Sequence, residues 1–355
     1  MKRKILFISL GAILVVIGLL AGGFWYMSTQ PLYKPGMVRE EKNLSAPLAP
    51  PEQPSNSKTW LVEPGIELHH FATGEGRNVL VIHGGPGMPF IQPMSGLDPL
   101  TDKFRFHYYD QRGCGESTRP IDRFESPKVY ENMKTLDKSL GLGAQIADVE
   151  RIRRILGDDK LILIGHSWGG FVASLYAAEF PERVEALILV SPANTLVMPQ
   201  PESEGDLFAS VRAGLPADQQ AEFDQFMEEY MNFNTLFQKS EDDLVAMNEQ
   251  FGKYYVQVVK TDLPRQGRSG GWMVWAQYFS MGQRHDYRSA LRGVNAPVLI
   301  IHGENDLQSE AASRLYAEAF PNAEIVVIEN AGHFSFEERP DVFADVVWEF
   351  ISSME

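Results

Sequence analysis

Gly165-His166-Ser167-Trp168-Gly169 fits the pattern G-x-S-x-G, a serine at the apex of a glycine-bounded turn. Such a turn pushes the hydroxyl out of the fold, where it can attack a carbonyl once a base removes its proton. The base is expected to be a histidine oriented by a carboxylate. Later in the chain, His302-Gly303-Glu304-Asn305-Asp306 offers Asp306, with Glu304 as the alternative acid. Asn330-Ala331-Gly332-His333-Phe334 then offers His333. Other histidines have other uses: His166 lies inside the serine turn, while His83 and His302 precede glycines at strand ends and suit backbone hydrogen bonds. Asn194 cannot carry the negative charge an orienting acid needs. Attack on a carbonyl also requires donors for the developing oxyanion. His83-Gly84-Gly85-Pro86-Gly87 supplies accessible backbone N–H groups, and with the serine turn in place the expected pair is Gly85 and Trp168.

Strands and helices must carry these residues to one place. Apolar runs rich in β-branched residues recur at Asn78–Ile82, Phe104–Tyr109, Lys160–Ile164, Val184–Val190, Val298–Ile301 and Glu324–Ile328. Short continuous runs of this kind suit strands covered on both faces. Helical patterns lie between them. Ile146, Val149, Ile152, Ile155 and Leu156 recur every three or four residues, with Asp148, Glu150, Arg151 and Arg154 on the opposite side. Further helices are expected over Phe171–Phe180, Ser313–Phe320 and Val342–Ser352. The alternation predicts an α/β fold with a doubly wound, mostly parallel sheet. Ser167, Asp306 and His333 would then project from carboxyl ends of strands, where open α/β sheets bind ligands. From about 194 to 288 the alternation gives way to helix-prone, acidic and aromatic sequence, including an amphipathic stretch at Glu222–Asn232, and this predicts an inserted helical lid.

The three motifs together resemble the α/β-hydrolase superfamily over Lys58–Glu355. More narrowly, the chain is similar to the prolyl aminopeptidase (proline iminopeptidase) family of serine peptidases. That likeness rests on His83-Gly84-Gly85-Pro86-Gly87, on Asp110-Gln111-Arg112-Gly113-Cys114-Gly115-Glu116-Ser117, and on Gly165-His166-Ser167-Trp168-Gly169-Gly170. The resemblance implies release of an N-terminal residue, often proline, from short peptides, with Ser167, Asp306 and His333 as catalytic triad and neither metal nor cofactor. The chain departs from it where a lid glutamate should neutralise the substrate ammonium. The family motif Trp-x-x-Trp-Glu becomes Trp272-Met273-Val274-Trp275-Ala276-Gln277 here. Trp272 and Trp275 share one helical face and would either wall the substrate or pack lid on core. Lid acids such as Glu202, Glu204, Glu228 and Glu229 read as solvated helix faces. Cys114 reads as a small residue filling a turn, and Arg112 as a tie between loops.

The chain has 355 residues, a formal charge of −15 and one cysteine. A single cysteine excludes an internal disulfide or a Cys-based zinc site, and the acidic balance argues against a nucleic-acid partner. Ile5 to Met27 carries no charged side chain and follows Lys2-Arg3-Lys4. As a helix it would reach about 34 Å, enough to cross a bilayer. An N-terminal transmembrane signal anchor over 1–29 is expected, with the rest on the extracytoplasmic side. Cleavage near Ala21 and Gly23, giving a secreted protein, is the alternative. Beyond Lys2, Arg3 and Lys4 there are 29 basic residues against 47 acidic ones, so the anchor alone would hold the membrane. The Pro- and charge-rich stretch 30–57 reads as a linker, leaving 58–355 as the hydrolase domain. An aminopeptidase on short peptides is the first functional expectation. A membrane-anchored esterase or lactonase on a small acyl substrate is the second, and a non-catalytic binding protein on the same scaffold the third. Epoxide hydrolases and haloalkane dehalogenases place Asp where Ser167 stands.

Overall fold

A computed structural model describes residues 29–55, 58–259 and 267–354. The apolar run at 5–27, expected as a membrane anchor, lies outside them. Among the described residues no helix is long and apolar enough to cross a membrane.

The strands are β1 (Thr59–Glu63), β2 (Ile66–Thr73), β3 (Arg77–Ile82), β4 (Phe104–Tyr109), β5 (Leu161–His166), β6 (Val184–Val190), β7 (Val197–Met198), β8 (His285–Asp286), β9 (Val298–Gly303) and β10 (Ala323–Ile328). Eight form one sheet in the order β1-β2-β4-β3-β5-β6-β9-β10, and β7 pairs with β8 apart from it. The pairings from β4 to β10 are parallel. The β1–β2 hairpin adds to β4 antiparallel at one edge.

Alternate residues of the central strands feed two cores. Leu163, Leu187, Leu189 and Ile300 pack under the helices Leu142–Leu156 and Trp168–Glu179. Ile162, Ile164, Ile188 and Ile301 pack on the other face with Phe336, Phe343 and Val347. Every residue of β5 is buried, as expected of a strand covered on both sides. Between β6 and β9 stand the helices Leu207–Gly214, Gln220–Tyr230, Phe233–Leu236, Glu241–Val259 and Trp272–Met281.

One expectation needs correction. The described part of 30–57 does not trail as a linker. Tyr33, Val38 and Leu48 are buried in the main core. The cause is Glu179, whose buried carboxylate accepts from Tyr33 Oη (2.9 Å) and from the N–H groups of Gly36 (2.8 Å), Val38 and Arg39 (3.0 Å). Charge-assisted bonds of this kind offset the ordering entropy that the composition alone could not.

On the polar side of Leu142–Leu156, Asp148, Glu150 and Arg151 are all buried. Arg112 grips Asp148 with two nitrogens (2.6 and 2.5 Å) and Glu63 with a third (2.9 Å). Arg151 bonds Asp148 at 3.1 Å and approaches Glu63 at 3.3 Å. Glu150 accepts from Arg153, Arg154 and Tyr176. This side packs against β1 and the turn after β4, so its charges are paired rather than hydrated. Arg112 acts as the expected tie, and Cys114 fills that turn, fully buried.

Candidate active site

β5 ends at His166, and the helix Trp168–Glu179 begins two residues later. Ser167 alone makes the connection, with φ 52° and ψ −119°. Positive φ in a non-glycine residue costs roughly 1–3 kcal/mol and persists only where its surroundings enforce it. Here the Ser167 N–H is held by Val190 O at 2.9 Å, and its C=O accepts from Gly170 and Ala193. Gly169 permits the turn, because a Cβ there would overlap the carbonyl oxygen of Ile82 at the end of β3.

Asp306 and His333 come from the loops after β9 and β10, which interlock. Asn305 N–H donates to Ala331 O at 2.7 Å, and a Cβ on Gly303 would overlap Gly332 O. This closeness brings His333 Nδ1 to 2.8 and 3.0 Å from the two Asp306 carboxylate oxygens. In the neutral ring Nδ1–H donates to the carboxylate and Nε2 is left as the basic nitrogen. The Asp306 side chain is 0% exposed. Burial by itself would raise its pKa, but His333 and the Gln308 N–H (2.9 Å) outweigh that and hold it below the usual carboxylate range. Glu304 is exposed and accepts from Asn330 N–H at 3.0 Å. The partner of His333 is therefore Asp306.

His166 joins this pair to the serine turn. Its Nε2–H donates to His333 O at 3.0 Å, and the two rings lie 4.8 Å apart. Burial and the neighbouring His333 lower its pKa to about 3, so it stays neutral and donates. The glycine loop after β3 closes the other side, where a methyl on Gly84 would lie 2.8 Å from Ser167 Cβ. The Gly85 N–H has no protein acceptor among the described residues. As the first residue of its helix, Trp168 has no intrahelical acceptor for its N–H. Ser167 is half-buried and Gly85 exposed, whereas His333 and Trp168 are buried. Ser167 and the glycine loop can thus be reached while His333 is shielded.

The sequence pattern of the alpha/beta hydrolase fold family matches residues 77–340. The chain belongs to that family. The hydrolase is 27% identical over 304 residues to a proline iminopeptidase of Lactobacillus helveticus, covering 81% of this chain and 95% of that one. It is 25% identical over 293 residues to a proline iminopeptidase of Heyndrickxia coagulans, covering 79% and 92%. Among solved structures its fold is like that of proline iminopeptidase from Mycobacterium smegmatis (TM-score 0.53, 20% identity, 82% and 96% covered). It is equally like that of a thermophilic esterase from Thermogutta terrifontis (TM-score 0.53, 22% identity, 81% and 94% covered).

The lid of the hydrolase meets this site through residues other than the expected tryptophans. Trp272 packs against Phe124 and Phe237 and donates to Asp122 O at 2.9 Å. Trp275 packs against Tyr230 and Phe233. Trp272 thus packs the lid onto the body of the domain, and Trp275 joins the lid's own aromatic cluster. Met273 and Gln277, one turn apart, take the opposite role: Met273 crowds Gly87 of the glycine loop, and Gln277 accepts from the Trp168 indole N–H. Gln308 also escaped sequence reasoning. Besides its N–H bond to Asp306, its amide nitrogen lies 3.3 Å from His333 Nδ1 and its amide oxygen accepts from Asn194 N–H. Its only sequence signal is its place two residues after Asp306. His83 Nδ1 bonds Gly84 O as expected, but His302 bonds the Ser313 hydroxyl rather than backbone. Among the described residues no group of three or more His, Cys, Asp or Glu side chains is placed to hold a metal ion.

Proposed function

We propose that this hydrolase cleaves its substrate through an acyl-enzyme on Ser167. His333 Nε2 takes the hydroxyl proton as Oγ attacks the carbonyl, and the Gly85 and Trp168 N–H groups receive the oxyanion. Asp306 holds the ring by Nδ1–H and balances the imidazolium. The proton then passes to the leaving group, and water activated by the same histidine releases the acyl part. The observation that carries this reading is the sealed Asp306–His333 pair joined through His166 to a strained serine.

For the substrate we propose the N-terminal residue of a short peptide, of the proline type. The three motifs and the proline iminopeptidases among its relatives support it. One observation favours a small acyl ester or lactone instead. Glu241 is the sole buried carboxylate among the described lid residues. It already accepts from Arg119 (2.5 Å) and from the N–H groups of Gly271 and Trp272, so its charge is balanced within the protein and not held for a substrate ammonium. Glu202, Glu228 and Glu229 are exposed. Hydrolysis of a proline arylamide, an alanine arylamide and a short acyl nitrophenyl ester, with Ser167→Ala as control, separates the two. Ester cleavage without arylamide cleavage would remove the peptidase reading.

The charge-free run Ile5–Met27 supports attachment to a membrane with the hydrolase domain on the extracytoplasmic side. Protease added to cells stripped of their outer wall should then digest the domain while a cytoplasmic marker stays protected; protection until the plasma membrane is lysed would contradict that placement.

A further inference from the structure

Resting on the acyl-enzyme reading, we infer that Tyr255 of the lid is a specificity-determining residue. Its hydroxyl donates a hydrogen bond to a carbonyl on the leaving group of the substrate. Tyr255 lies on the helix Glu241–Val259 and is 9% exposed, with its hydroxyl fully enclosed and unpartnered among the described residues. A buried hydroxyl without a partner is destabilising. The neighbouring lid tyrosines differ: Tyr230 donates to Asn248 at 2.7 Å and Tyr254 to Glu222 at 3.1 Å. Tyr255 is the one turned to the chemistry. Its ring stands edge-on to the His333 ring, centroids 6.1 Å apart.

The helix face it occupies spans the site. Gly252, three residues earlier on the same face, meets the glycine loop, where a methyl on it would lie 3.6 Å from Met88 Cε. One face therefore touches the oxyanion loop with Gly252 and the general base with Tyr255. Ser167 lies between those two contacts in the chemistry proposed. The histidine side of the serine is where the leaving group must sit to receive its proton. A phenol there, kept protonated by burial and by the nearby charges of Asp306 and Glu338, can only donate firmly to an acceptor. The group in a peptide that meets it is the carbonyl of the residue after the scissile bond. In an ester it is a carbonyl on the alcohol part.

The test pairs substrates that differ only there: prolylglycinamide against proline ethylamide, and the glycolamide ester of a short acid against its ethyl ester. Wild type and Tyr255→Phe are compared by kcat/KM, so that intrinsic leaving-group reactivity cancels in the ratio of ratios. The expected result is that Tyr255→Phe cuts the preference for the carbonyl-bearing member about tenfold. Its thermal midpoint should be unchanged or higher, because the variant removes an unpartnered buried hydroxyl. An unchanged preference, equal slowing of both members, or a lowered midpoint would overturn the inference. If wild type is active and the preference survives, only Tyr255 is misassigned. If wild type cleaves neither pair and Ser167 takes no phosphonate label, the acyl-enzyme reading falls with it.

Discussion

Asp306→Asn removes one charge from a site sealed from solvent while keeping the shape of the side chain. In the free protein the carboxylate lies 2.8 Å from His333 Nδ1, and in the transition state of the proposed mechanism that ring carries a full positive charge. At an effective dielectric of about 20, charges at this separation attract by about 6 kcal/mol. Each factor of ten in rate corresponds to about 1.36 kcal/mol, so the loss is worth about four powers of ten. A second effect runs the same way: an amide can present its NH₂ to Nδ1 and favour the tautomer whose Nε2 already bears the proton. Asp306 touches no position that substrate would occupy, so KM should move by less than about threefold. The assay is initial-rate hydrolysis of the best arylamide or nitrophenyl ester, with circular dichroism and a thermal midpoint to confirm folding. A folded variant that loses less than about a hundredfold in kcat would refute the reasoning, as would a loss confined to KM.

Arg112→Ala should destabilise by about 3–5 kcal/mol, because it strands Asp148 and Glu63 in the interior; a shift in urea midpoint worth under about 1 kcal/mol would contradict the network. Glu179→Ala leaves four N–H and O–H donors of residues 33–39 without their acceptor. Limited proteolysis should then cut within 29–55 at least several-fold faster than in wild type, and an unchanged rate would show that burial of Tyr33 and Val38 suffices. Burial holds His83 at about 4 and His166 at about 3, against an ordinary 6.5. Between those values the unfolded chain binds the extra protons, so their contribution is full above about 6.5 and is lost as pH falls toward 4 and below. Urea midpoints at pH 7.0, 5.5 and 4.5 should decline less steeply in His83→Gln, and this difference separates the histidine from Asp137, whose burial raises its pKa and acts oppositely. Identical slopes would contradict a buried neutral His83.

What was legible in the chain was what is written locally. The six runs expected as strands became β3, β4, β5, β6, β9 and β10: central strands buried on both faces are apolar at nearly every position, and the half-buried edge strand β10 keeps the apolar run Ile325–Ile328. The serine turn, the glycine loop and His333 were legible for a similar reason: each is a short glycine-marked connection at a strand end. The edge hairpin was not. β2 buries Ile66 and Leu68 but exposes Glu67, so its signal is a weak alternation interrupted by two histidines. Asp306 rather than Glu304 faces His333, while Asn330 N–H takes Glu304. Gln308, Gln277 and Tyr255 act through partners 25 to 109 residues away or from a lid helix whose orientation no local pattern encodes. The described part of 30–57, expected as a linker, is ordered for the same reason, since the carboxylate that binds it is 146 residues downstream of Tyr33.

The central claim is that Ser167 is the residue that becomes acylated. Treating the full chain with a fluorophosphonate and locating the adduct by peptide mass spectrometry tests this directly. One adduct is expected, on the peptide carrying Gly165-His166-Ser167-Trp168-Gly169, formed quickly by wild type, far more slowly by Asp306→Asn and not at all by Ser167→Ala. An adduct on another residue, or undiminished labelling of Ser167→Ala, would contradict the account.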